Sequence, residues 1–386
     1  MTAPAAKLSG GYVPLGSEGI NNIIWSESRH IVLNMPSEKF SSPGTLIAAC
    51  GKDWVMTHYS RTSRNGEVVI DGQAACNDIT EACTRAGQFD DERILGSGVH
   101  RAIDNPDVLV INSGRDVWRT DGALQKRATE AIYVAYDSLN IDRAQAPATP
   151  EDASDVLKTL RSWRFHHQGD PLLMLGWIGS AYLCSAWTWR PHGYIIAKKK
   201  CGKSTLQQFM KNLLGGAAIA VDGGTSEPGV RRKLSRNALA VLVDEAEADS
   251  SHVKTLMGYF RSSSSGATIV KADTKSSGIV TYAVRSMCML SAVNAPKFKD
   301  TDEGRFIRFQ LDGAPDKKAM PAVLKEHQER TVQDLGRRLF ARMLHAWPRV
   351  RKAKDVLGGL LLNDLDSRYS DTLSAILASS WCHLHD

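Results

Sequence analysis

YIIAKKKCGKSTLQQF, residues 194–209, decides how the rest of the chain is read. A short apolar run enters a lysine-filled loop, and Gly202-Lys203-Ser204-Thr205 opens a helical pattern. A tight loop between a strand and a helix presents backbone N–H groups at the positive end of the helix dipole, where an anion is favoured. A lysine at that point reaches the terminal phosphates of a nucleotide, and the hydroxyl after it can hold a divalent cation. The pattern G-x-x-x-x-G-K-[ST] is met at Gly202, Lys203 and Ser204, but Ala197 stands at its first position and Lys198 to Lys200 fill the loop. Taken alone, the segment is either a phosphate loop, with Lys200, Cys201, Gly202, Lys203, Ser204 and Thr205 around the phosphates, or a basic loop of similar spelling.

About 40 residues downstream, NALAVLVDEAEAD (237–249) is a buried apolar strand ending in Asp244-Glu245. An aspartate at a strand end beside a phosphate loop joins the serine hydroxyl around Mg²⁺, which assigns the metal to Ser204 and Asp244. The adjacent Glu245 is placed to act as general base on an attacking water. Order, spacing and strand context together turn two weak signals into an expected ATP–Mg²⁺ site. A third strand, in SMCMLSAVNAPKF (286–298), ends at Asn294. That asparagine is either a ligand for water or phosphate between the two motifs, or an ordinary turn residue. In DEGRFIRFQL (302–311), Arg305 precedes the last strand, and Arg308 lies inside it as the second choice for a charge-neutralising arginine.

Working outward, Gly193–Ile196, Ala217–Val221, Ala238–Val243, Met287–Ala292 and Phe306–Leu311 read as five buried strands alternating with helices. That alternation predicts an α/β fold with a five-stranded parallel sheet covered on both faces. Upstream, residues 1–145 read as a smaller mixed α/β domain. Its expected elements are strands at 23–25 and 30–34, a helix from Gln73 to Ala86 ending at Gly87, and a hairpin over 107–122. Asp90, Asp91 and Glu92 read as a solvated helix start. Residues 146–190 read as helical, 191–316 as the ATPase core and 317–386 as a helical lid. Pro171–Trp189 is uncharged for 19 residues, but its Pro, glycines and hydroxyls favour a buried helix over a membrane span. Trp163, Trp177, Trp187 and Trp189 are expected on helices, packing the core. The His166-His167 pair has no partners at metal spacing and reads as structural.

The net charge of +6 is compatible with nucleic acid without arguing for it alone. Seven scattered cysteines with no CxxC read as reduced and mostly buried. No signal peptide is expected from MTAPAAKLSGG.

From about Trp189 to Leu311 the succession of motifs resembles the AAA+ ATPases. More narrowly, it resembles the superfamily 3-like helicase modules of phage and mobile-element replication proteins, often joined to a primase. TSEPGVRRKLSRNALAVLVDEAEAD (225–249) and VRSMCMLSAVN (284–294) extend the resemblance beyond the motifs, and Ala197 with the lysine-filled loop departs from it. The resemblance implies a homo-oligomeric ring, a hexamer, in which Arg305 of one subunit completes the neighbour's ATP site. It also implies a hairpin, here Thr268–Lys271 and Ile279–Val284, that grips single-stranded or fork DNA in a central channel. Lys275 is the first candidate for that grip and Lys271 the second. If the element belongs to a phage, the compartment is the bacterial cytoplasm. The rival reading is an AAA+ protein remodeller or loader not coupled to nucleic acid. A polypeptide-gripping tip would favour an aromatic residue, and ADTKSSG (272–278) has none.

Overall fold

The computed structural model describes residues 11–136, 138–248, 250–272, 279–294, 298–316, 318 and 329–386. The chain divides into two compact units, Met1–Leu95 with Lys126–Ala135 and Gly96–Gln125 with Tyr136–Asp386. The first unit holds fewer Lys and Arg than Asp and Glu, so the whole basic surplus belongs to the second.

In the first unit, Tyr12–Glu18, Asn21–Ser26 and Ile31–Pro36 pair as an antiparallel sheet with Asn21–Ser26 in the middle. That central strand is buried on both faces, because alternate side chains enter two separate cores. Ile24 packs with Phe40, Leu46 and Ile79, while Ile23 and Trp25 pack with Leu15, Ile132 and Val134. The helix expected near 73–86 spans Gly72–Ala86, is capped by the Asp71 carboxylate on the N–H of Ala74, and ends at Gly87 with φ 84°. The acidic run is a helix start as read, since Asp90 caps the single turn Asp91–Arg93.

The hairpin expected over 107–122 is formed by Leu109–Asn112 and Val117–Arg119, with Gly98–Arg101 as third strand. It belongs to the second unit rather than grouping with residues 1–145. From Pro150 the elements of that unit are numbered α1 (Pro150–Leu160), β1 (Arg164–Phe165), α2 (Asp170–Tyr182), β2 (His192–Ala197), α3 (Lys203–Leu214), β3 (Ala218–Asp222), α4 (Glu227–Leu234), β4 (Ala240–Asp244), α5 (Ser251–Ser264), β5 (Thr268–Ala272), β6 (Ile279–Ala283), β7 (Cys288–Ala292), β8 (Phe306–Gly313), α6 (Glu329–Leu361) and α7 (Ser367–Leu384).

The largest sheet is mixed and has six strands in the order β1-β8-β2-β7-β4-β3. The five strands read from the sequence are mutually parallel, and the correction is the added edge strand β1, antiparallel to β8. The sequence pattern carries a helix through Phe165, whereas α1 stops at Leu160. The chain then turns through Trp163, which is buried, so that Arg164 and Phe165 reach the sheet edge. β4 and β7 lie inside the sheet and are buried along nearly their whole length, and a fully buried Val or Leu contributes about 1.5–3 kcal/mol.

Of the uncharged stretch, residues 171–182 lie in the 13-residue helix α2, buried continuously from Met174 to Tyr182, and a single turn, Cys184–Ala186, follows. A buried helix has no solvent face to fill with charge. Among the described residues no helix is long and apolar enough to cross a membrane. Trp187 and Trp189 fall beyond its end, and Trp189 is only half-buried, which corrects their expected place on a helix. The described part of residues 317–386 is the helix pair α6 and α7, locked to the rest by buried Arg342. Its guanidinium donates to the carbonyls of Cys382, Ala148 and His385. All seven cysteines are buried and free.

Candidate nucleotide site

Between the last residue of β2 and the first of α3 lie five residues, 198–202, and two of them take left-handed backbone. Lys200 has φ 68° and Gly202 φ 81°. A Cβ on Gly202 would stand 2.7 Å from Pro315 Cδ and 3.0 Å from the indole nitrogen of Trp163, so this position needs glycine on two grounds. The same indole N–H donates to the Gly202 carbonyl at 3.1 Å, which holds the loop from below. Gly202 is the N-cap of α3 and no side chain caps that end. The first intrahelical bond runs from Leu206 N–H to Gly202 carbonyl, so the N–H groups of Lys203, Ser204 and Thr205 precede it at the anion-favouring end. Ser204 and Thr205 are exposed. Ala197, the departure from the motif, is a buried strand residue paired with Leu311, a position that makes no demand for glycine.

Asp244 ends β4 at the same edge of the sheet. Lys203 Nζ lies 3.3 Å from its Oδ1, which also accepts the Ser291 hydroxyl at 2.6 Å and the Glu245 N–H at 2.9 Å. Burial pushes this carboxyl up, but the Ser291 hydroxyl, the Glu245 N–H and the Lys203 ammonium outweigh it and hold it below its ordinary pKa. Asp244 is thereby kept as a carboxylate, the form a cation needs. Glu245 is exposed and has φ 56°, a conformation uncommon for a residue with a side chain. Gly223 permits it, since a Cβ there would meet the Glu245 carbonyl at 2.1 Å. Two non-glycine residues in left-handed backbone, Lys200 and Glu245, thus flank one site, at about 1–2 kcal/mol each.

Asn294 follows the end of β7, the strand that lies between β2 and β4. It is exposed, and its backbone N–H, with that of Val293, donates at 2.8 Å to the Glu247 carboxylate. Further bonds tie this loop down, from Ala246 N–H to the Ser291 carbonyl and from the Tyr194 hydroxyl to the Ala246 carbonyl. Ser291 and Glu247 are thus parts of the site that the sequence reading left without a role. Their signal is the strand order, which pairs β7 with β4 and exists only once non-local partners are known.

Replacing Ser291 by Ala should raise the Asp244 carboxyl. A depressed carboxylate pKa adds stability that is present above the unfolded value near 3.8 and is lost as pH falls through the folded value. The variant is therefore expected to lose about 1 kcal/mol at neutral pH, with the loss fading below pH ~4. Denaturant unfolding of both proteins at pH 7 and pH 3 tests this, and an equal loss at both values would count against it.

The remaining candidates lie elsewhere. Arg305 precedes β8, whose Phe306 pairs with His192 at the start of β2, so it stands at the opposite end of the sheet from the 198–202 loop. Arg308 is exposed within β8, with its guanidinium 5.1 Å from the centre of the Phe298 ring. The hairpin expected after the acidic motif is present in β5 and β6, with Lys271 paired to Val280, while Lys275 lies outside the described residues. The His166 Nδ1–H donates to the Asp312 carboxylate, 2.9 Å away, and among the described residues no cluster of His, Cys, Asp and Glu could hold a metal. A cavity of about 490 Å³ lined by Arg115, Trp118, Arg143 and Arg337, among others, shares no residue with the Lys203–Asp244 group.

No family model matches the chain, and no curated protein does. Solved apo structures of the NrS-1 C-terminal region are similar to it at 10% sequence identity. One has a TM-score of 0.44 and covers 95% of this chain and 83% of that one. Two in the A form have a TM-score of 0.42, covering 92% and 95% of this chain and 81% and 84% of theirs. At that identity no residue correspondence follows.

Proposed function

We propose that this chain is an ATP-hydrolysing motor that translocates on single-stranded or fork DNA as a homo-oligomeric ring, a hexamer, of the AAA+ helicase type used in phage and mobile-element replication. The observation that carries the reading is the Lys203–Asp244 contact of 3.3 Å, made at the uncapped start of α3 and the carboxyl ends of parallel strands. Open parallel sheets bind ligands at that end. The α/β core then corresponds to a P-loop ATPase, with α6 and α7 as its lid.

In this reading the N–H groups at the loop and helix start cradle phosphates, and Lys203 exchanges Asp244 for the β- and γ-phosphates. Ser204 and Asp244 would hold Mg²⁺, and their residue types fit it, an exposed hydroxyl next in sequence to Lys203 and a carboxylate kept ionised. Mg²⁺ held there would neutralise charge that develops on the phosphates during transfer. Glu245, exposed beside it, takes the proton from the attacking water, and Asn294 orients that water. Arg305 serves a neighbouring copy, since it stands at the wrong end of its own sheet. Lys271 lies on the hairpin that would meet DNA, as would Lys275, through phosphate contacts with little sequence preference.

ATP hydrolysis by the purified chain, with and without single-stranded DNA, tests the reading. Turnover is expected to rise severalfold with DNA, and the stimulation to weaken as salt increases. Turnover that ignores DNA at every salt concentration would remove the helicase reading and favour a protein remodeller or loader.

A further inference from the structure

Arg305 sits in a built corner. Its guanidinium carbon lies 5.4 Å from the centre of the Trp189 ring, within cation–π range. The Trp189 indole N–H donates to the Thr372 hydroxyl oxygen at 2.9 Å, and that hydroxyl donates onward to the Gly304 carbonyl at 2.6 Å. Thr372 is fully buried on α7. The contacts close a circuit from the backbone before Arg305, through Thr372, to the ring under the guanidinium. Gly304, at φ 77°, lets α7 come this close, since a Cβ there would stand 3.1 Å from Arg368 Cβ.

The arginine held in this corner has few partners of its own. One of its N–H groups donates to the Thr301 carbonyl, and Nε is buried with no acceptor. Among the described residues no carboxylate forms an ion pair with it. Asp302, the acidic neighbour, is already engaged by Arg261 at 2.8 Å and by the Lys299 N–H at 3.0 Å. Burial, and then the like charge of Arg368, hold the guanidinium below its ordinary pKa. A cation fixed in place, under-paired and beside a second cation is suited to an anion from outside. Its own phosphate loop is out of reach. Phe306 and Leu311 pair with the two ends of β2, and five strand steps separate Arg305's end from the loop by roughly 16 Å.

We infer that Trp189 and Thr372 are positioning residues that hold Arg305 for the triphosphate bound by a second copy of this chain. The inference rests on the ATPase reading above. Through Arg305 they would act on charge that develops during transfer, so they bear on kcat and leave KM nearly unchanged.

The test is ATP turnover by mixed rings. Arg305→Ala should be inactive alone, as should Lys203→Ala. Their mixture should regain activity, because a live site then adjoins an intact arginine. Trp189→Ala should lower kcat about tenfold with KM for ATP within about twofold, and mixing it with Lys203→Ala should restore turnover. Thr372→Val should follow Trp189→Ala, while Thr372→Ser, which keeps the hydroxyl between the indole N–H and the Gly304 carbonyl, should recover most of the activity. If Trp189→Ala and Thr372→Val keep the wild-type kcat, or raise KM instead, or are not rescued by Lys203→Ala when Arg305→Ala is, the inference is overturned. An inactive wild-type chain would instead overturn the ATPase reading, and the inference with it.

Discussion

Lys203→Ala is expected to lower ATP turnover by roughly 10²–10³-fold, the loss seen when one preorganised donor to developing negative charge is removed. The fold should survive the change. Lys203 is not what keeps Asp244 in place, because Ser291 and the Glu245 N–H hold the same carboxylate oxygen. The ion pair itself is partly exposed, with Asp244 at 35%, and pairs of that kind contribute under ~1 kcal/mol. Phosphate release and thermal unfolding measured on the same preparation separate the two effects. Near-normal turnover in a folded variant would mean that the loop is not where the terminal phosphates bind.

The second large effect concerns the helix pair. Gly336 on α6 lies so close to α3 that a Cβ would stand 1.9 Å from the Leu213 carbonyl oxygen, a backbone atom that cannot swing aside. Gly359, on the same helix, meets nothing within 4 Å. Gly336→Ala should therefore force α6 away from α3 and cost about 3 kcal/mol, at the upper end for overpacking. Gly359→Ala should add about 0.5–1 kcal/mol, because alanine orders more cheaply than glycine in a helix. One substitution with opposite signs at two places in one helix is a demanding result for equilibrium denaturation to reproduce. Equal effects would show that α6 does not seat on α3 as described.

The parallel strands were legible because burial on both faces leaves a continuous apolar run, as in AVLVD ending at Asp244 and CMLSA ending at Ala292. The strand–loop–helix at 194–209 was legible because it is local, a strand, a turn and a helix start within sixteen residues. What escaped was whatever depends on partners distant in sequence. Two residues, Arg164 and Phe165, have no periodicity to detect, and they become a strand only because Trp163 is buried against the loop. Trp189 carries the same residue type as Trp187, yet one stacks under an arginine and the other is fully buried against Trp347. Composition cannot separate them. Glu247 looked like one more acid in DEAEAD until β4 and β7 were neighbours.

The bond from the Trp163 indole to the Gly202 carbonyl has a mechanical meaning. Trp163 is the residue just before β1, so the loop is leashed to the outermost strand of the sheet. Any ligand that reshapes the loop must either stretch this leash or drag the edge strand with it. The arrival and departure of an anion at the centre of the sheet would then be felt as tension at its rim.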